Sequence, residues 1–287
     1  YAVITNLEGA DHLETWPGGM DSIKKAFLNF ANSVPFYGLV ILCHDDEHLR
    51  DMLPDLSRRY VTYGVSASAD YRADAIHHED GCVCFGVVVR GVPKGSIKLP
   101  LPGRHNALNA LAAIAAADEF GVPFDLIKEA LEGFRGVGRR FEIAGTFSGV
   151  TVVHDYGHHP TEIAAVLDAA KQAWPERAVR VLFQPHRWSR FRDQWQAFGA
   201  CFDLASDVVV SEVYAASESP IEGYSEQRFA EDAMAHGHRS VRFLGGAERA
   251  ARQLATEAKA GDVVLVFGAG DIDRQVPTIC EVLEASS

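Results

Sequence analysis

The 287-residue sequence has no long apolar run. Its longest uninterrupted stretch, Ala110–Ala117, is too short to cross a bilayer, and no secretory leader pattern opens the chain, so membrane insertion is not expected. Excess positive charge is also missing. Lys+Arg number 27 against 39 Asp+Glu, a net charge of −12, which argues against a general nucleic-acid binder and leaves room only for a local phosphate pocket. Cysteine is scarce and odd in number: Cys43, Cys82, Cys84, Cys201 and Cys280 are scattered as in a reduced, cytoplasmic protein. Cys82 and Cys84 share one face if their run is a strand, and a lone C-x-C reads first as structural. There are no internal repeats, no low-complexity segment, and no G-x-x-x-x-G-K-[ST] phosphate loop. Nor is there a methionine at position 1. Tyr1 sits inside the apolar run YAVIT, which reads as a strand whose upstream neighbours are missing, so a piece of a longer protein is expected.

What is present is ordinary for a globular chain of about two domains: 47% hydrophobic and 23% charged residues. The first half reads as strands at 2–5, 39–43 and 60–65, a helix over 21–34, and a hairpin of 82–91 and 95–101 around VPKG. Helices follow over 105–121 and through FDLIKEALEGF. From about residue 143 the pattern changes. TVVHDY, VRVLFQP, DVVVSEVY, VRFLG and DVVLVFGAG are strand-like and alternate with helical stretches at βαβ spacing. That predicts a mostly parallel, doubly wound sheet whose ligands bind outside the carboxyl ends of the strands. The expected boundary lies in the Gly-rich stretch 136–145, giving domains 1–142 and 143–287.

The polar clusters of the second half fall at those strand ends. HDYGHHPTE, 154–162, joins a strand to a helix whose start is signalled by Pro160 and Glu162. Its Asp155, Tyr156, His158 and His159 suit orientation of a substrate or phosphate; an N-cap aspartate with solvated histidines is the plainer alternative. FQPHRWSRFRD, 183–193, follows the next strand. Arginine forks recognise carboxylates and phosphates bidentately, and a helix starting near Ser189 would bring Arg187 and Arg190 to the cleft and turn Arg192 to solvent. GAGDIDR, 268–274, allows close backbone approach after the last strand. In GVGRRFE, Arg139 is either a phosphate-facing residue at a hinge or part of an exposed linker. In the first half, TNLEGADHLE offers Asn6, Glu8, Asp11 and His12 for Mg2+ held with phosphates, against a capping role for Asp11. In PGRHNALNA, Asn106 and Asn109 share a helix face, and amides of that kind pair with an adenine edge; ordinary polar caps are the alternative.

In order, TN…DH, GRHN..N, G.GRRFE, DYGHHPTE, FQPHR..R, EVY…E.PI.G and GAGDI resemble the Mur ligases, the ATP-dependent amide-forming enzymes of peptidoglycan synthesis. The resemblance covers essentially the whole chain. It implies an α/β fold: the later part of a central ATPase domain, followed by a Rossmann-like, mostly parallel C-terminal domain that takes the amino acid. The N-terminal UDP-binding domain and the stretch holding the phosphate loop would lie upstream.

The implied chemistry uses ATP and Mg2+. ATP phosphorylates the lactyl carboxylate of UDP-N-acetylmuramate, and the amine of L-alanine attacks the acyl phosphate, in the bacterial cytoplasm. By the same resemblance His12 binds the second Mg2+, and His105, Asn106 and Asn109 line the adenine site. Arg139 and Asp155 meet the nucleotide's phosphate and ribose side. Tyr156, His158, Arg187 and Arg190 hold the amino acid and the negative intermediate, with His159 and His186 beside them. The Arg139 linker would be the hinge for closure. LEGADH carries one residue more than the family pattern, which shifts the register of Glu8. Three alternatives stay open at this point: a ligase for recycled tripeptide, a folate-type polyglutamate ligase, and a binding module without catalysis.

Overall fold

The computed structural model describes residues 1–7, 16 and 18–285. Two compact units emerge, Tyr1–Arg135 and Gly136–Ser287. Among the described residues no helix is long and apolar enough to cross a membrane.

The first unit is a six-stranded sheet in sequence order: β1 (Ala2–Ile4), β2 (Val40–Cys43), β3 (Tyr60–Gly64), β4 (Tyr71–Glu79), β5 (Cys82–Val89) and β6 (Val92–Leu99). The first four are mutually parallel and the last three form an antiparallel meander. β4 was not expected. Its YRADAIHHE is polar at most positions because only alternate side chains near its start, Tyr71 and Ala73, reach the core. The β5–β6 turn is at Arg90–Gly91, not at VPKG: both residues have positive φ (48° and 82°), the backbone of a two-residue hairpin loop. Asp80–Gly81 (52°, 74°) closes β4 to β5 in the same way. Val83, Phe85, Val87 and Val89 of β5 point into the core, and the period-2 rule sends Cys82 and Cys84 to the opposite face. Among the described residues of this unit the α-helices are α1 (Gly19–Asn32), α2 (Glu47–Met52), α3 (Arg104–Glu119) and α4 (Phe124–Glu132). Alanines at 107, 110, 112 and 115 let α3 bury most of its circumference against the sheet.

The second unit has the order β11-β10-β9-β12-β8-β7. Its strands are β7 (Glu142–Phe147), β8 (Val150–Asp155), β9 (Val179–Phe183), β10 (Asp207–Val210), β11 (Val241–Phe243) and β12 (Val263–Phe267). Five are parallel; β7 is an antiparallel edge, tied to β8 by a Ser148–Gly149 hairpin. The sheet is doubly wound. Val179, Val181 and Phe183 pack on one face with α5 (Pro160–Ala173), α7 (Trp195–Cys201) and α8 (Glu226–Ala235). Leu182, Val264 and Val266 pack on the other with α9 (Ala247–Glu257) and α10 (Val276–Ala285). The helix expected after β9 is two: α6 (Trp188–Asp193) and α7, broken at Gln194.

β12 is inserted between β9 and β8. The chain leaves β8 and β9 toward one face and leaves β12 toward the other. The carboxyl ends of these three strands are therefore a topological switch point, where such sheets open a crevice.

Candidate active-site cluster at the switch point

After β8 the chain turns sharply, and Asp155 fixes the turn. It is buried; its Oδ2 accepts the N–H of Phe141 at 2.8 Å and its Oδ1 that of Gly157 at 2.7 Å. Burial holds its carboxyl pKa above the usual value, a rise that the two backbone donors only partly offset. The following side chains are presented outward from a rigid base. His159 is the N-cap position of α5, buried, with Nδ1 2.8 Å from Thr161 Oγ1; it braces the helix start rather than joining the cluster beyond. Glu162 accepts the backbone N–H groups of His158 (3.0 Å) and His159 (3.3 Å).

His158 Nδ1 lies 3.2 Å from the Tyr156 carbonyl and 3.4 Å from Glu162 Oε2. Both are acceptors, so Nδ1 carries the proton and Nε2 keeps a lone pair in the neutral ring. The His158 ring centroid is 5.4 Å from that of Tyr156 and 5.9 Å from that of His186, which arrives from β9. His186 stacks in turn on Tyr214, beyond β10 (5.4 Å, 13°). Three successive parallel strands thus deliver one continuous set of rings.

Arg190 Nη1 approaches His186 Nδ1 at 3.2 Å. A guanidinium only donates, so His186 Nδ1 accepts and its ring proton sits on Nε2. Burial, then the charges of Arg190, the neighbouring His158 and Arg187, push the His186 pKa down to about 4. His186 is therefore a neutral donor at physiological pH. Arg187 is exposed and lies at φ 68°, outside the regions ordinary residues prefer; its N–H bond to the Tyr214 carbonyl (2.9 Å) holds it there. Arg192 is half-buried and pairs with Asp193 at 2.6 Å, away from this set.

Arg139, which precedes β7, lies across the Tyr156 ring (4.9 Å) and donates to the carbonyls of Gly268 (3.3 Å) and Gly270 (3.1 Å). Its Nη1 is 3.6 Å from Asp273. The glycines after β12 make this approach feasible. A Cβ on Gly270 would stand 2.5 Å from both Gln184 Oε1 and Tyr214 Cγ. The structure thus brings together Arg139, Tyr156, His158, His186, Arg187 and Arg190, with Asp155 and His159 as braces beneath. An arginine-rich rim in an acidic chain is suited to a carboxylate or phosphate ligand, and the rings to fixing its orientation.

Sequence reasoning passed over Tyr214, Glu218, Gln184 and Gly270. Tyr214 and Glu218 were within reach of the same strand-end rule, since EVY follows β10. Glu218 accepts the N–H and Oγ–H of Ser189 at 2.9 and 2.8 Å and so anchors the first turn of α6. Burial pushes the Glu218 pKa up, but these two donors and Arg187 outweigh it and hold the group ionised.

In the first unit, α3 begins at Gly103 (φ 97°), whose N–H is accepted by His78 Nε2 at 3.0 Å. His105 and Asn106 are half-buried in the first turn and Asn109 is exposed one turn on. The Asn106 side-chain amide donates to the Pro102 carbonyl at 2.7 Å, which leaves its oxygen to accept. Nearby strand ends are closed by carboxylates bonded to backbone N–H groups: Asp45 receives Val65 and Ser66, and Asp46 receives Leu7 and Leu49. His12, with Glu8 and Asp11, lies outside the described residues.

Two sequence profiles match this chain: the Mur ligase middle domain over residues 1–117, and the Mur ligase glutamate ligase domain over 139–270. A UDP-N-acetylmuramate–L-alanine ligase of Geobacter sulfurreducens is 47% identical over 94% of this chain and 58% of its own length. One of Sorangium cellulosum is 44% identical over 100% of this chain and 61% of its own. The crystal structure of a UDP-N-acetylmuramate–alanine ligase from Thermotoga maritima superposes with a TM-score of 0.78 at 29% identity, covering 99% of this chain and 60% of that one. The chain thus spans about three fifths of the length of the relatives it matches.

Proposed function

Since the chain belongs to the Mur ligases and carries sequence of their middle and glutamate-ligase domains, we propose that the protein it forms part of is the ATP-dependent ligase joining L-alanine to UDP-N-acetylmuramate. The reading includes a nucleotide-binding role for 1–142, an amino-acid-binding role for 143–287, and work in the bacterial cytoplasm on peptidoglycan precursors. The observation that supports it most is the ring-and-guanidinium cluster: Tyr156, His158, His186, Arg187 and Arg190 meet where three strands end.

The reaction needs a carboxylate activated by phosphoryl transfer and then attacked by an amine. Little covalent chemistry falls to the protein; positioning and charge stabilisation do most of it. Arg187 and Arg190 bind the alanine carboxylate and face the oxyanion of the tetrahedral intermediate. Tyr156 and His158 form the wall that orients the amine, whose ammonium proton leaves to solvent before attack. His186, kept neutral, donates through Nε2 without adding a repelling or competing charge. Arg139 faces the departing phosphate, and Asp155 holds the corner in shape. His105, Asn106 and Asn109 line the adenine, where the free Asn106 oxygen accepts from an exocyclic amine. Mg2+ would neutralise phosphate charge; its expected ligand His12 lies outside the described residues.

The test is L-alanine-dependent phosphate release from ATP by the full-length protein with UDP-N-acetylmuramate, the product identified by mass. Release that requires L-alanine supports the reading. Release with a recycled tripeptide and none with L-alanine replaces it.

A further inference from the structure

One cluster far in sequence from this chemistry is built like a metal site. On the β4–β5 hairpin, the register pairs His77 with Cys84 and Glu79 with Cys82. Directly opposed residues of an antiparallel pair share a face, and so do residues two apart on one strand. His77, Glu79, Cys82 and Cys84 are therefore on one face, opposite the core-facing Val83 and Phe85. A ring nitrogen of His77, a carboxylate oxygen of Glu79 and the Cys84 sulfur all lie within 4.8 Å of one another. Ligand atoms of a tetrahedral zinc centre stand about 3.3–3.8 Å apart, given bond lengths of about 2.0–2.3 Å, so small side-chain adjustments close the set.

A second observation is independent of this clustering. The bulge between Asp74 and His77 puts Ala75 at φ 48°, and the Ala75 carbonyl lies 2.9 Å from His77 Nδ1. A carbonyl only accepts, so Nδ1 holds the proton and Nε2 keeps its lone pair. A histidine whose other ring nitrogen donates to a backbone carbonyl is the usual arrangement in metal-binding histidines.

We propose that this face of the β4–β5 hairpin binds a zinc-class divalent ion through His77, Glu79 and Cys84, with Cys82 as the fourth ligand. Thiolate and imidazole donors select such an ion over Mg2+ or Ca2+. Binding forms a metal–sulfur bond at each cysteine while its S–H proton leaves to solvent, with no change of oxidation state. Lys98 is the resident competitor. It is paired with Cys84 in the β5–β6 register, and its ammonium lies 3.6 Å from Glu79 and 3.3 Å from Asp80. The ion displaces it.

The experiment is titration of the reduced, nucleotide-free protein with Co2+, followed by Zn2+. One equivalent of Co2+ is expected to give a thiolate-to-cobalt charge-transfer band that one equivalent of Zn2+ abolishes and excess Mg2+ leaves intact. Cys84→Ser should remove most of the band. His77→Ala, at an exposed position that cannot unfold the core, should weaken binding at least about tenfold, consistent with the loss of a ligand. Lys98→Met should tighten binding. Absence of the band, or unchanged affinity in His77→Ala, overturns the proposal.

Discussion

The two ends of the second sheet hold similar numbers of arginines in opposite circumstances. At the amino-terminal end, charge meets charge. Arg180 bonds Asp262 (2.7 Å) and Asp207 (3.2 Å), and Arg242 bonds Asp207 (2.8 Å) and Glu257 (2.6 Å). Arg177 donates to the carbonyls of Gly261, Gly149 and Asp262 and to Thr151 Oγ1. At the carboxyl end, Arg187 stands exposed at a strained φ, Arg190 faces a neutral imidazole, and Arg139 lies across an aromatic ring. The first set bonds to neighbouring carboxylates and carbonyls and holds strands in register. In the second, Arg187 is fixed by its backbone bond to Tyr214, Arg190 by His186, and Arg139 by the carbonyls of Gly268 and Gly270 with Asp273 at 3.6 Å. Arginines gathered beyond the carboxyl ends of parallel strands are placed for a carboxylate or phosphate ligand, whereas those at the other end tie strands together.

The contrast can be broken at either end. The largest expected loss of stability comes from Arg177→Ala, which strips four acceptors of a charged donor. It should cost about 2–4 kcal/mol, read as a lowered denaturation midpoint, with turnover per folded molecule unchanged. Gly270→Ala follows at about 1–3 kcal/mol, because the new Cβ must push Gln184 and Tyr214 apart. It should also impair ligation, since Tyr214 backs His186. A normal KM for L-alanine in that variant would detach the Tyr214 stack from the site.

The His186 pKa sets a pH dependence. In the folded protein it lies at about 4 and in the unfolded chain at about 6.5, so the unfolded state binds the proton first. Its contribution is present in full above pH 6.5 and is lost as pH falls toward 4. The midpoint of His186→Gln should be flatter than wild type across that window. The smallest effect belongs to Glu248→Ala. It breaks an exposed i,i+4 pair with Arg252 and should change stability by no more than about 0.5 kcal/mol.

Much of this was legible in the sequence, for a reason that differs by element. Four parallel strands of the second unit, β8, β9, β10 and β12, are buried on both faces at nearly every position, so each reads as a largely apolar run. β4 and β7 escaped because one face of each is largely exposed and their composition resembles a loop. The switch-point cluster was readable because a parallel sheet delivers every residue after a strand to one edge. Spacing says nothing about which of those residues turn inward. His159 and Asp155 became braces through their bonds to Thr161, Phe141 and Gly157, while His158 faces the rings. Gly270 was visible only as a glycine until its neighbours across the fold, Gln184 and Tyr214, were in place.

The most direct test pairs one arginine from each end. In the full-length protein, kcat/KM for L-alanine and the melting temperature are measured for Arg187→Ala beside Arg177→Ala. Removal of a preorganised donor to a developing charge costs about 100-fold or more. The account predicts that loss for Arg187→Ala at a wild-type melting temperature, and near-normal kcat/KM with a lowered melting temperature for Arg177→Ala. Undiminished ligation by Arg187→Ala would contradict it.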